Sequence, residues 1–462
     1  MAGISIQKSS NTKNSDLLAE HFGDDFEWGV STAAYQIEGA HDIHDKGASI
    51  WDHFTSKKGA IYKGHNGKVA CDFYRRYNED ILLMKAMNIP NFRFSLSWTR
   101  ILPYGTGKIS SEGIAFYNRV IDFCLECGIT PWVTLYHWDL PQALQEQGGW
   151  VNRDILGWFE EYVTVCSTYF GDRVKNWLVL NEPMVFTGAG YFLGVHAPGN
   201  KGLKNFLPAA HHAVLCQALG GRILRSIVPE SNIGTSFSCS DIKPYSKRMA
   251  DIKAAEKADA LLNRFFIEPS LGMGYPLESL LKLKQIEKYQ RPEDSQNCVF
   301  NFDFIGIQNY TREVVRQSYL VPYLQAKIVK ATKRKVKTTL MDWEIYPKSI
   351  YNMIVKFNGY SKINKIIITE NGAAFSDKLM DGEVHDPDRL AYFHRYLKQV
   401  KKAKDEGYKV SGYFAWTLID NFEWAEGYYP RFGLVYVDFD SQKRIIKSSG
   451  KWFMEFLSED KK

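Results

Sequence analysis

Short apolar runs alternate with longer amphipathic stretches along most of the chain. Eight runs rich in β-branched and aromatic residues stand out: FEWGVSTA near Phe26, NFRFSLSW near Phe92, PWVTLYHW near Pro131, VKNWLVLNEP near Val174, NIGTSFS near Asn232, FDFIGIQNY near Phe302, KIIITENG near Lys365 and YKVSGYFAWTL near Tyr408. Several are continuously apolar rather than alternating, the pattern of parallel strands buried on both faces. Between them, segments such as DFYRRYNEDILLMKAMNI and RDILGWFEEYVTVCSTYFGDRV place apolar residues every three or four positions, the period of a helix with one buried face. Strand then helix, repeated, predicts an α/β fold: a single (β/α)8 TIM barrel with extended βα loops forming the mouth. A doubly wound sheet would put a glycine-rich phosphate loop after the first strand, and G-x-G-x-x-G is absent there.

Composition narrows this picture. Of 462 residues, 45% are hydrophobic and 24% charged, enough apolar matter for a large core and too little charge for general disorder. No composition break splits the chain, so one domain is expected over 21–462, preceded by a flexible polar tail over 1–20. That tail lacks the apolar stretch of a signal peptide, and no segment approaches the ~18 apolar residues of a membrane helix. A cytoplasmic chain without a membrane partner is expected.

A net charge of +6 is small for this length, which excludes a general nucleic-acid-binding reading. The one dense basic stretch, 327–337, reads as a solvated loop or hairpin. Seven cysteines, scattered and odd in number, do not form a disulfide framework and fit a reducing compartment. Cys124 and Cys127 make a C-x-x-C, but it lies in a helical segment with no second Cys/His pair, so no metal site is expected.

In such a barrel, chemistry sits at the C-terminal ends of the strands. Those ends are polar and aromatic: Gln36 and Glu38, Arg93, His137 and Trp138, Asn181 and Glu182, Gln308 and Tyr310, Glu370 and Asn371, then Trp416, Glu423 and Trp424. A carboxylate closing a buried strand is costly without partners. Two of them, Glu182 and Glu370, end the fourth and seventh runs and are followed by turn residues, so they point across one mouth. Paired carboxylates are what glycoside hydrolysis requires.

With these motifs in view, the chain resembles glycoside hydrolase family 1, the β-glucosidase family. FEWGVSTAAYQIEGA (26–40), LNEP (180–183), ITENG (368–372), WTLIDNFEWAEGY (416–428) and RFGLVYVDF (431–439) match the family's motifs in order, from about residue 22 onward. The resemblance implies a retaining β-glycosidase that hydrolyses terminal non-reducing β-D-glucosyl residues of a β-linked glucoside or oligosaccharide, with Glu182 as acid/base and Glu370 as nucleophile. It implies that Asn181 binds the sugar 2-hydroxyl, that Gln36, His137, Glu423 and Trp424 bind the remaining hydroxyls, and that Trp416 lies under the ring. Trp343 would stack on the leaving-group sugar, and Arg93 and Tyr310 would orient Glu370.

Glu182 is then expected to have a raised pKa and Glu370 a lowered one. No metal or organic cofactor is required. Glu182 stands where the thioglucoside-cleaving branch carries Gln, and Glu423 where the 6-phosphoglycosidase branch carries Ser. The family often has Asn-Tyr-Tyr where this chain has Gln308-Asn309-Tyr310, which leaves the contact of Gln308 open. The aglycone, the choice among glucoside, galactoside and fucoside, the balance of hydrolysis and transglycosylation, and the oligomeric state, a homo-oligomer included, are open at this level.

Overall fold

The computed structural model describes residues 17–458. Eight parallel strands close into a barrel: β1 (Glu27–Ser31), β2 (Asn91–Ser95), β3 (Thr130–Tyr136), β4 (Asn176–Asn181), β5 (Asn232–Ser238), β6 (Phe304–Gln308), β7 (Ile366–Asn371) and β8 (Val410–Trp416). Each pairs with its sequence neighbours, and β1 closes on β8 with Glu27 opposite Gly412 and Ser31 opposite Trp416. All eight fall on the runs expected from the apolar pattern. Helices including Phe73–Ala86, Ser111–Glu126, Ile155–Phe170, Leu203–Ile227, Lys348–Asn358, Pro387–Asp405 and Ser448–Leu457 follow the strands and surround the barrel.

The lower interior is filled by side chains. Trp132, Leu178, Phe304, Ile367 and Phe414 form a dry cluster of their own, with the Trp132 ring edge-on to Phe304 and to Phe414 at 5.4 and 5.0 Å. Glycines make room for them. A Cβ on Gly29 would lie 2.4 Å from the Phe414 ring, and one on Gly234 would lie 2.3 Å from Phe304. The layer is therefore a floor, with chemistry confined to the opposite end.

The long loops at that end carry structure of their own. After β5 and β6, Asp241–Pro244, Arg312–Gln317 and Ala326–Ile328 form a three-stranded sheet, on which helix Met249–Asp259 packs Ala254, Ala255 and Ala258 against Val315 and Ala326. Two short hairpins, Leu379–Met380 with Glu383–Val384 and Val435–Val437 with Arg444–Ile446, lie in the loops after β7 and β8.

The expected tail is only partly covered: residues 1–16 lie outside the described residues. Of the remainder, Leu17 is buried in the main core and Ala19–Phe22 forms a 3-10 turn, so the folded body begins ahead of residue 21. Among the described residues no helix is long and apolar enough to cross a membrane, and no group of three or more His, Cys, Asp or Glu could hold a metal ion.

Candidate active site

Two irregularities turn the carboxylates inward. β4 slips register against β5 between Leu178 and Asn181, and β7 slips against both neighbours just after Ile368. Side chains alternate across a strand, so a slip of one residue changes which face the following residues present. Leu178 and Ile367 belong to the floor, while Asn181 and Glu370 face the mouth. Glu182 then adopts left-handed backbone, φ 47° and ψ 63°, before Pro183 opens helix Pro183–Thr187. Glutamate rarely takes that conformation, and the Glu182 N–H donating to Ser236 O at 2.9 Å helps to hold it.

Glu370 is clamped from two sides. Arg93 Nη1 donates to one carboxylate oxygen at 2.6 Å and the Tyr310 hydroxyl to the other at 2.7 Å. The second end of the same guanidinium reaches Asn181 Oδ1 at 2.5 Å, and Nε reaches Thr134 Oγ1 at 3.1 Å. Gln308 Nε2 donates to Asn181 Oδ1 at 2.7 Å, which answers the question its position raised. Asn181 Nδ2 lies 3.0 Å from His137 Nε2, leaving the other ring nitrogen buried without a protein partner. The carbonyl oxygens of the Gln36 and Gln308 side chains are likewise buried and unpartnered. Buried polar atoms seldom stay unsatisfied, and His137 lines the carboxylate cavity while Gln36 and Gln308 bond residues beside it, Glu423 and Asn181, a setting that suits a hydroxylated ligand.

Glu182 and Glu370 line a common cavity of about 300 Å³ with Trp343, Trp416, Glu423 and Trp424. Burial, then the charge of Glu370, push the Glu182 carboxyl well above the usual range, against the Ser238 hydroxyl and Arg93. The lowered value expected for Glu370 is corrected: burial raises it too, against the charge of Arg93 and the hydrogen bonds from Tyr310 and Arg93. Loss of water around a carboxylate only 3% exposed outweighs what one cation restores. Glu370 has an ion-pair contact with Arg93, whereas Glu182 has none among the described residues.

Glu423 is pushed up to about 8, first by burial and then by Glu370, while a contact from Gln36 Nε2 at 3.3 Å opposes the shift. Burial and Arg93 hold His137 well below its usual value, so the ring is neutral. The aromatic wall is layered. Trp416 and Trp424 each stack on the His137 ring, and Trp424 is backed by Tyr35, Trp51 and Trp138, with the Trp51 and Trp138 rings 4.5 and 4.6 Å away. The Trp416–Thr417 peptide is cis. Below the loop, buried Asp420 accepts from Lys447 Nζ at 2.6 Å, Arg431 at 2.7 Å and the Gly433 N–H at 2.9 Å, anchoring the segment that carries Glu423.

The site thus brings together Gln36, Arg93, His137, Asn181, Glu182, Tyr310, Trp343, Glu370, Trp416, Glu423 and Trp424. Two strand-end residues are engaged elsewhere. Glu38 pairs with Arg100 at 2.9 Å and accepts from Tyr117 at 2.5 Å, and the Asn371 side chain bonds Asn309 O, Tyr392 and Tyr413. His211 and His212, on Leu203–Ile227, are satisfied behind the barrel by Tyr275, Asp294 and Trp150. All seven cysteines are free. Buried Trp51 also backs Trp424, Phe432 of the RFGLVYVDF motif lines the cavity, and Met341 lines it without any sequence signal beyond being apolar.

The sequence model described as glycosyl hydrolase family 1 matches residues 18–462. The chain belongs to glycosyl hydrolase family 1. Among its relatives in the family, β-glucosidase A of Thermotoga maritima is 43% identical over 446 residues, 96% of this chain and 99% of that protein. β-Glucosidase A of Acetivibrio thermocellus is 42% identical over 95% of this chain and 98% of its own length. A solved structure of the family, the Thermotoga maritima β-glucosidase in complex with glucoimidazole, superposes with a TM-score of 0.89 at 42% identity, covering 94% of this chain and 98% of that one. Family 1 membership makes this chain a glycoside hydrolase, on a barrel whose mouth holds the paired carboxylates described above.

Proposed function

We propose that the protein is a β-glucosidase that removes terminal non-reducing β-D-glucosyl residues with retention, with Glu370 as nucleophile and Glu182 as acid/base. One observation carries the assignment of roles: Arg93 and Tyr310 hold both oxygens of Glu370, at 2.6 and 2.7 Å, while Glu182 has no cation in contact and its carboxyl is pushed well up. The residue kept ionised attacks; the one kept protonated donates.

In the first step a Glu370 oxygen bonds to the anomeric carbon as the glycosidic C–O bond breaks, and Glu182 gives its proton to the departing oxygen. Forming the ester removes the charge of Glu370, so the Glu182 pKa falls and its carboxylate can take a proton from water. That water attacks the same carbon, and Glu370 leaves as carboxylate. On this reading Asn181 serves the 2-hydroxyl, Gln36, His137, Glu423 and Trp424 the other hydroxyls, Trp416 the ring and Trp343 the leaving group, roles supported by the chain's family resemblance and by the position of His137, Trp343, Trp416, Glu423 and Trp424 on the carboxylate cavity. The names of the relatives support glucose as the sugar. Seven unpaired thiols, six of them buried, support a reducing, cytoplasmic setting.

Proton NMR of an aryl β-glucoside reaction tests the reading. The first-formed sugar should be β-glucose. An initial α-anomer overturns the roles of the two carboxylates, and absence of turnover on every aryl β-glycoside overturns the activity.

A further inference from the structure

Glu423 is aimed chiefly by its backbone. Its carboxylate has one hydrogen-bond contact among the described residues, Gln36 Nε2 at a long 3.3 Å. Its N–H, by contrast, donates to Gly427 O at 2.7 Å, and its own carbonyl accepts from the Glu426 N–H at 2.9 Å, which closes a tight turn over 423–427. Trp424, the next residue, is fixed separately by the rings of Tyr35, Trp51 and Trp138. The placement of Glu423 therefore hangs on the Gly427 carbonyl.

That carbonyl belongs to a peptide unit gripped from its other side. The Tyr428 N–H, in the same plane, donates to Nδ1 of His65 at 3.0 Å. His65 follows the 3-10 turn Tyr62–Gly64 in the loop after β1, so the first βα loop holds the last. The adjoining Asn66 carbonyl accepts from the Tyr428 hydroxyl at 2.7 Å, and the His65 ring lies 5.3 Å from the Tyr428 ring and 6.0 Å from that of Tyr62. Burial, then the charge of Lys63, hold His65 below its ordinary value, so the ring is neutral and Nδ1 is free to accept.

Gly427 permits this approach. Its φ of 59° and ψ of −135° suit glycine, and a Cβ there would lie 2.4 Å from His65 Nδ1. With no side chain to lock it, the 427–428 peptide is kept from turning by the hydrogen bonds at its two ends. Losing the one to His65 frees the plane to rotate and to carry its oxygen away from the Glu423 N–H.

We propose that His65, which does not line the carboxylate cavity, is a positioning residue for Glu423 and acts through the Gly427–Tyr428 peptide. The proposal rests on the β-glucosidase reading above, in which Glu423 serves glucosyl hydroxyls. The experiment is a double-mutant cycle on kcat/KM for a dinitrophenyl β-glucoside, pairing His65→Phe with Glu423→Ala and adding His65→Asn, whose Oδ1 can accept where Nδ1 does. His65→Phe should lower kcat/KM about fivefold in the wild-type chain, the size of one hydrogen bond, and less than about twofold once Glu423 is Ala. His65→Asn should stay within about twofold of wild type, a rescue that loss of ring packing alone would not produce. His65→Ala, which adds no bulk, repeats the comparison where the Phe chain fails to fold. Equal losses in both backgrounds, no loss from Phe and Ala, or Asn as damaging as Phe overturns the positioning role and leaves the β-glucosidase reading in place. Absence of β-glucoside turnover in wild type, or Glu423→Ala turnover matching wild type, overturns that reading and the proposal with it.

Discussion

Arg93 and Gln308 converge on one atom, the Oδ1 of Asn181, at 2.5 and 2.7 Å. Two donors on the oxygen fix which way the amide faces, and so aim its nitrogen at His137, which lines the cavity. Gln308→Leu removes one donor. It should lower kcat/KM on β-glucosides about tenfold while changing 2-deoxy-β-glucosides little, because those substrates lack the hydroxyl assigned to Asn181. Equal losses on both would make Gln308 a general packing residue.

Glu182→Ala should slow glucosides with poor leaving groups far more than activated aryl glucosides. Proton donation by a positioned acid is worth about 10² to 10⁴ in rate, and a nitrophenolate departs without it. Steady-state rates on cellobiose and on a dinitrophenyl glucoside check this, and parallel losses would remove Glu182 from the acid role.

Tyr310→Phe should shift the acid limb of the kcat/KM profile to higher pH. The Tyr310 hydrogen bond at 2.7 Å lowers the Glu370 pKa against the pull of burial. Removing it raises that pKa, so at a given acidic pH less of Glu370 is ionised and able to attack. An acid limb that stays in place or moves down would contradict the clamp.

Glucosides should be cleaved with kcat/KM more than about 100-fold above their 6-phosphates, since taking a phosphate out of water into a cavity that offers it no cation costs several kcal/mol. The catalytic cavity is lined by Glu182, Glu313, Glu370, Glu423 and Glu426, and by no Lys or Arg among the described residues. Burial and Glu370 push Glu423 up to about 8, which weakens its negative charge, so the missing cation matters more than repulsion by this one group. Equal or inverted rates on the phosphorylated substrates would overturn the substrate class.

The barrel was legible because parallel strands buried on both faces leave continuous apolar runs such as KIIITENG, and because turn residues follow Glu182 and Glu370 at the ends of theirs. The register slips were not. They depend on pairing between β4 and β5 and among β6, β7 and β8, and nothing local in WLVLN or IIITE marks them. Gln308 meets a partner 127 residues earlier, so its contact could not be read from its neighbours. Glu38 had the right residue type at a strand end, yet its fate was decided by Arg100 and Tyr117 on later elements. Arg93 and Tyr310 both reach Glu370, but the direction of its shift depended on burial, which strand-end position alone does not reveal.

The aromatic floor built by Trp132, Phe304 and Phe414 makes the pocket a blind alley. Traffic is therefore single-file. With the sugar bound at the closed end of the cavity, the aglycone has to vacate the doorway before water can reach the ester, and a sugar acceptor would use that same doorway. Partition between breaking a glycoside and rebuilding one then becomes a contest for occupancy of one vestibule, decided by how quickly the first product clears it.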